Sequence, residues 1–113
     1  MSFWRKEVID FALDRETLAH IDEQRAWILR EPANPKPYYH LAQLYRVACK
    51  PEEALGLLLE AVRLDPNFAE AHASLAEMYI LRDDYPSAWR HARLAEANGI
   101  SRVVEMLARH GVE

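Results

Sequence analysis

A chain of 113 residues, half of them apolar, 28% charged and only three of them glycine, is long enough for one domain and leaves little room for tight turns or sheet. Its 14 basic and 18 acidic side chains give a net charge of −4, which works against a sequence-independent grip on nucleic acid, and no stretch approaches the roughly 18 apolar residues of a membrane span. The single cysteine, Cys49, excludes an intrachain disulfide and suits a reducing compartment; Arg5, Lys6, Glu7 and Asp10 break up any leader-like apolar run, so a cytoplasmic location is expected.

From Ser2 to Leu13, Trp4, Val8 and Phe11 recur at helical spacing. Asp14 can cap a second helix from Arg15 to about Glu31, with Leu18, Ile21, Ile28 and Leu29 on its inner side. No glycine or proline separates the two, so only the polar run Asp14, Arg15, Glu16 argues for a turn. Two helices are expected, with one continuous helix as the alternative. Prolines 32, 35 and 37 then punctuate the chain, and Asn34 followed by Pro35 reads as an N-cap with proline in the first turn. That helix runs to about Ala48. Lys50 and Pro51 mark a turn, Glu52 and Glu53 place negative charge at the start of the next helix, and the helix ends before Pro66. Asn67 is expected to cap a helix to about Leu81. Asp83, Asp84 and Pro86 repeat the turn, and Asn98 with Gly99 stops the following helix. Ser101 opens a last short helix with Val103, Val104, Leu107 and Ala108 on one face, ended by Gly111.

The middle of the chain is written twice. Tyr38, Leu41, Ala42, Tyr45, Ala54, Leu58, Ala61 and Pro66 return thirty-four residues later as His72, Leu75, Ala76, Tyr79, Ala88, Ala92, Ala95 and Ile100. Trp4, Phe11 and Pro32 lie thirty-four residues before Tyr38, Tyr45 and Pro66 and extend the register backwards, although His20, Gln24 and Trp27 stand where the next unit has Ala54, Leu58 and Ala61 and would forbid close helix approach. Period and residue order resemble the tetratricopeptide repeat family, with alanine (Ala42, Ala76) for the usual glycine and Leu58 and Ala92 for the usual phenylalanine. The resemblance implies an all-α, right-handed α-solenoid of antiparallel helix pairs. Residues 1–34 would form a degenerate unit, 35–68 and 69–102 two full units, and 103–113 a capping helix over the last apolar face.

Catalytic and metal chemistry find no support. His20, His40, His72, His91 and His110 are scattered one per helix without the i, i+3 or i, i+4 pairing of a helical metal site. His72, standing where the first copy has Tyr38, is expected to be a buried structural histidine. Ser2, Ser74, Ser87 and Ser101 lie outside any Gly-x-Ser-x-Gly elbow, no glycine-rich phosphate loop occurs, and the pairs Glu52/Glu53 and Asp83/Asp84 read as helix-start charges. No cofactor is expected, and Cys49 reads as a small filler near the inter-helix turn.

What the resemblance implies instead is binding of another protein or peptide. In the family the first helix of each pair lines the inside of the superhelix, and the thirty-four-residue shift carries that role to Arg5, Lys6, Ile9 and Leu13, then to Lys36, Tyr39, His40, Gln43, Arg46 and Val47, then to Glu70, Ser74, Glu77, Ile80 and Leu81. Leu13, Val47 and Leu81 would form an apolar line, flanked by a basic amino half (Arg5, Lys6, Lys36, Arg46) and an acidic carboxyl half (Glu70, Glu77). The lysine, arginine and asparagine clamp that chaperone-binding members use on a terminal carboxylate is absent, since its sites hold Arg5 but also Ile9, His40, Glu70 and Ser74, and Glu70 would repel a carboxylate. The competing expectation is a structural module that forms a homodimer through its terminal helices, with Leu107 in the contact.

Overall fold

The computed structural model describes the backbone of residues 2–111 and the side chains of residues 15–111. Six helices account for it: α1 Ser2–Arg30, α2 Pro35–Val47, α3 Pro51–Leu64, α4 Ala69–Leu81, α5 Tyr85–Ala97 and α6 Arg102–Arg109, with no strand among the described residues. The starts of α2 and α4, and of α3 and α5, are thirty-four residues apart, as are the ends of α2 and α4. The helices form an all-helical solenoid. α2 packs on α3, α4 on α5, and α3 joins the two pairs by packing on α4; the thinnest dimension, 19 Å, is that of two helix layers.

Alanine sets the spacing. Ala42, Ala54, Ala61, Ala76, Ala88, Ala92 and Ala95 are all fully buried, so the helix axes approach closely enough for Leu41, Leu58 and Leu75 to fill what remains. One cluster runs from Ile21 of α1 through α2 and α3 to Leu75 and Met78 of α4, and a second joins Ala73, Ala76, Ala88, Ala92 and Ala95 to Val103 and Leu107 of α6. α6 thus covers the last pair with its own apolar face. Leu107 is 2% exposed inside the chain, so it is unavailable as the contact of a homodimer.

Ser2–Arg30 is one helix, not two. Asp14, Arg15 and Glu16 are polar but none of them breaks a helix, and without glycine or proline the backbone hydrogen bonds continue through them. The carboxyl half of this helix packs on α2, burying Ile21 and half-burying Ile28, and Arg25 donates a 2.6 Å hydrogen bond to the Tyr45 hydroxyl. An antiparallel pair within residues 1–34 is therefore replaced by a single rod.

The helix ends repeat as faithfully as the core. The N–H groups of Cys49 and Lys50 return to Arg46 and Tyr45, those of Asp83 and Asp84 to Ile80 and Tyr79, and those of Gly99 and Ile100 to Glu96 and Ala95, each pair closing the same C-terminal motif. The motif needs a left-handed residue, supplied by Cys49 (φ 60°), Asp83 (φ 59°) and Gly99 (φ 105°). Cys49 is consequently exposed and holds a backbone turn, rather than filling the core. Asn34 caps α2, its side chain accepting from Lys36 N–H, but α4 is capped at Phe68 and not at Asn67, whose N–H is taken by the Asp65 carboxylate.

The expected burial of His72 is observed, at 4% exposure, together with its reason. Tyr38 donates its hydroxyl to the Pro32 carbonyl at 2.9 Å, and His72 places Nε2 2.7 Å from the Pro66 carbonyl, the same contact one repeat later.

Candidate peptide-binding face

α2 and α4 present their inward-register residues on adjoining strips. The strips are stitched together by Gln43, whose Nε2 donates to the Ser74 hydroxyl at 3.0 Å while its Oε1 accepts from Arg46 Nη1 at 3.4 Å. Ser74 is buried, Gln43 and Arg46 half-buried, and Lys36, His40 and Glu70 exposed. Tyr39, half-buried, packs edge-on to His40 (5.3 Å from Phe68 and 5.4 Å from His40 between ring centres). Glu77 and Ile80 are half-buried; Glu77 meets Arg102 of α6 at 3.4 Å, and Ile80 packs against the α6 side.

The apolar line survives into three dimensions at two of its three positions. Val47 is 75% and Leu81 79% exposed, each the last residue of its helix. Leu13, with Arg5, Lys6 and Ile9, lies outside the residues whose side chains are described.

Helix α1 contributes what the repeat register did not single out. Its His20, Gln24 and Trp27 face His40, Gln43, Leu44 and Val47 of α2 across a cleft of about 480 Å³. The Trp27 ring stacks on His40 at 6.3 Å and 19°, and its Nε1 donates to Glu31 at 2.7 Å. At the sites where the next unit has Ala54, Leu58 and Ala61, α1 carries His20, Gln24 and Trp27, whose side chains wall the cleft while the helix still packs on α2. That mismatch was visible in the sequence as a departure from the pattern, and its consequence is an open cleft beside three of the candidate contacts.

Chemically, the face offers an exposed apolar pair, an aromatic wall, and cations at Lys36 and Arg46. Among the described residues no group of three or more His, Cys, Asp or Glu side chains could hold a metal, and no helix is long and apolar enough to cross a membrane. Such a surface can hold a segment of chain by side-chain burial and charge.

Comparison with known proteins agrees with that reading of the fold. Residues 35–68 match the family model of the tetratricopeptide repeat. The TPR repeat-containing thioredoxin TTL4 of Arabidopsis thaliana is 38% identical over 60 residues, 53% of this chain and 9% of that protein. Among solved structures, MamA from Desulfovibrio magneticus RS-1 superposes with a TM-score of 0.66 at 25% identity, covering 84% of this chain and 53% of that one. A second crystal structure of MamA, at 21% identity, gives 0.68 over 88% and 55% and speaks to the fold alone. The chain therefore spans about half the length of the MamA chains and a small fraction of TTL4.

Proposed function

We propose for this chain, whose residues 35–68 match the tetratricopeptide repeat model, a non-catalytic role: capture of a peptide segment of a partner protein on the concave side formed by α2 and α4, with the α1 cleft at its amino end. The observation that carries the proposal is the pair Val47 and Leu81, thirty-four residues apart and three-quarters or more exposed at equivalent helix ends. Repeated apolar exposure in register is what a segment crossing both repeats would cover. Tyr39, His40, Gln43 and Arg46 are the central contacts, Lys36 and Glu70 flank them, and Ile80 and Glu77 border the far end. Arg5, Lys6, Ile9 and Leu13 would extend the same strip along α1.

Selection from a random peptide display library tests this. Wild type enriches sequences with an apolar spine, and Val47→Glu/Leu81→Glu weakens the enriched peptides by about tenfold or more, two buried side chains being worth at least that. Unchanged affinity in the double variant, with its fold intact by circular dichroism, would remove the groove. Light scattering of the free protein accompanies the selection, and a monomer without ligand is the expected result.

A further inference from the structure

The face recognises more than apolar surface. We infer that Ser74, Gln43 and Arg46 form a relay that holds the Arg46 guanidinium ready for a side-chain carboxylate of the partner segment, so that the ligand is an extended peptide carrying Asp or Glu beside its apolar anchor. This rests on the groove reading above and adds its chemical class.

The order of the relay follows from donor and acceptor chemistry. A guanidinium can only donate, so the Gln43 atom facing Arg46 Nη1 must be its carbonyl oxygen, and the amide NH₂ is left to meet Ser74. Ser74 is 3% exposed and cannot itself touch a ligand, yet its hydroxyl is the anchor for Gln43 Nε2 at 3.0 Å. Gln43 is thereby fixed in one orientation between two helices, and Arg46 rests on it.

Arg46 makes no ion pair among the described residues. Glu77, three residues beyond Ser74 on α4, is engaged by Arg102 of the capping helix. Lys36 lies on the same helix as Arg46 and also makes no ion pair among the described residues. In a chain of net charge −4 this makes the α2 strip locally positive, complementary to an acidic segment. A pre-fixed guanidinium binds a carboxylate without first losing its own rotamer freedom, which is where Ser74 acts as a positioning residue.

Two display libraries separate the outcomes: peptides with one Asp fixed next to an apolar residue, and the same peptides with Asn in its place. Wild type binds the Asp pool about tenfold more tightly, the range of a hydrogen bond to a charged group. Arg46→Gln loses that preference. Ser74→Ala, a change that fits the alanine-lined α4, reduces it by about fivefold while leaving the Asn pool bound as before. Gln43→Glu, which ties Arg46 within its own helix, also abolishes it. In parallel, the Arg46 side-chain ¹⁵N–¹H signals show restricted rotation in wild type and averaging in Ser74→Ala. Equal binding of both pools by wild type overturns the carboxylate assignment and leaves the groove standing. Asp preference retained in Ser74→Ala overturns the relay. Failure to bind either pool overturns the groove itself.

Discussion

The Nδ1 atoms of His72 and His91 lie 3.0 Å apart in the interface of α4 and α5, and only one proton fits between them. His72 Nε2 faces the Pro66 carbonyl and must carry a proton there, which makes its Nδ1 the acceptor. His91 Nδ1–H is then the donor, and His91 Nε2 is left deprotonated, buried and without a partner among the described residues. Tyr79 stacks on the same ring at 5.6 Å.

Stability should therefore fall in acid through this pair. Burial foremost, then His72 and Arg90, lowers the His91 pKa to about 4 from an ordinary 6.5. Between those values the unfolded chain binds a proton that the folded chain refuses, so the contribution is complete above pH 6.5 and is lost as pH falls towards 4, by about 3 kcal/mol. Repeat one has Tyr38 and Leu57 at the equivalent sites. The double variant His72→Tyr/His91→Leu should fold, keep the bond to Pro66, and show a flatter urea midpoint between pH 7 and 4.5 than wild type. Parallel pH profiles would contradict the assignment of this acid sensitivity to the buried His72–His91 pair.

Two turns carry removable strain. Cys49 and Asp83 hold left-handed backbone, and Gly56, Gly99 and Gly111 are the glycines of the chain. Cys49→Gly should raise stability by about 1 kcal/mol, the usual cost of a side chain in that region. Asp83→Gly should gain less, because Asp tolerates the conformation and accepts a 3.3 Å bond from the Tyr85 hydroxyl. Thermal melts of the two variants decide the order.

The two asparagines that precede α2 and α4 differ. Asn34→Ala removes the bond to Lys36 N–H and should cost about 1 kcal/mol. Asn67→Ala touches no capping bond of α4 and should change stability by less than about 0.5 kcal/mol. Equal losses in chemical denaturation would restore Asn67 as a cap.

Close nesting is tested where it is tightest. Ala54 and Ala88 are fully buried at the same register position of α3 and α5. Ala54→Leu or Ala88→Leu should cost about 1–3 kcal/mol by overpacking. Tolerance of both would mean that the helices are held apart by something other than these methyl groups.

Most of the fold was legible because its signal is periodic. Ala42, Ala54, Ala76 and Ala88 state the helix spacing twice, and prolines at 35, 51 and 86 mark where helices begin. Where the signal is an absence, legibility ends. Nothing in Asp14, Arg15, Glu16 forces a turn, so the single helix α1 is decided by its backbone hydrogen bonds and not by pattern. Cys49 and Asp83 adopt a conformation usually announced by glycine, which hid the C-terminal motifs. The candidate face was legible in its apolar pair, Val47 and Leu81, but the bond that ties Ser74 to Gln43 and the engagement of Glu77 by Arg102 join helices at separations other than the repeat length. The cleft at Trp27 belongs to the unit that departs from the repeat, where register has least to say.

The most direct measurement is amide chemical-shift mapping of a peptide taken from the display selection onto the ¹⁵N-labelled protein. Shifts concentrated on α2 and α4 are expected, at Tyr39, His40, Arg46, Val47 and Leu81, with the Trp27 indole at the amino end. Shifts confined to the outer side of α3 and α5, at Leu59, Trp89 or Leu94, would contradict it.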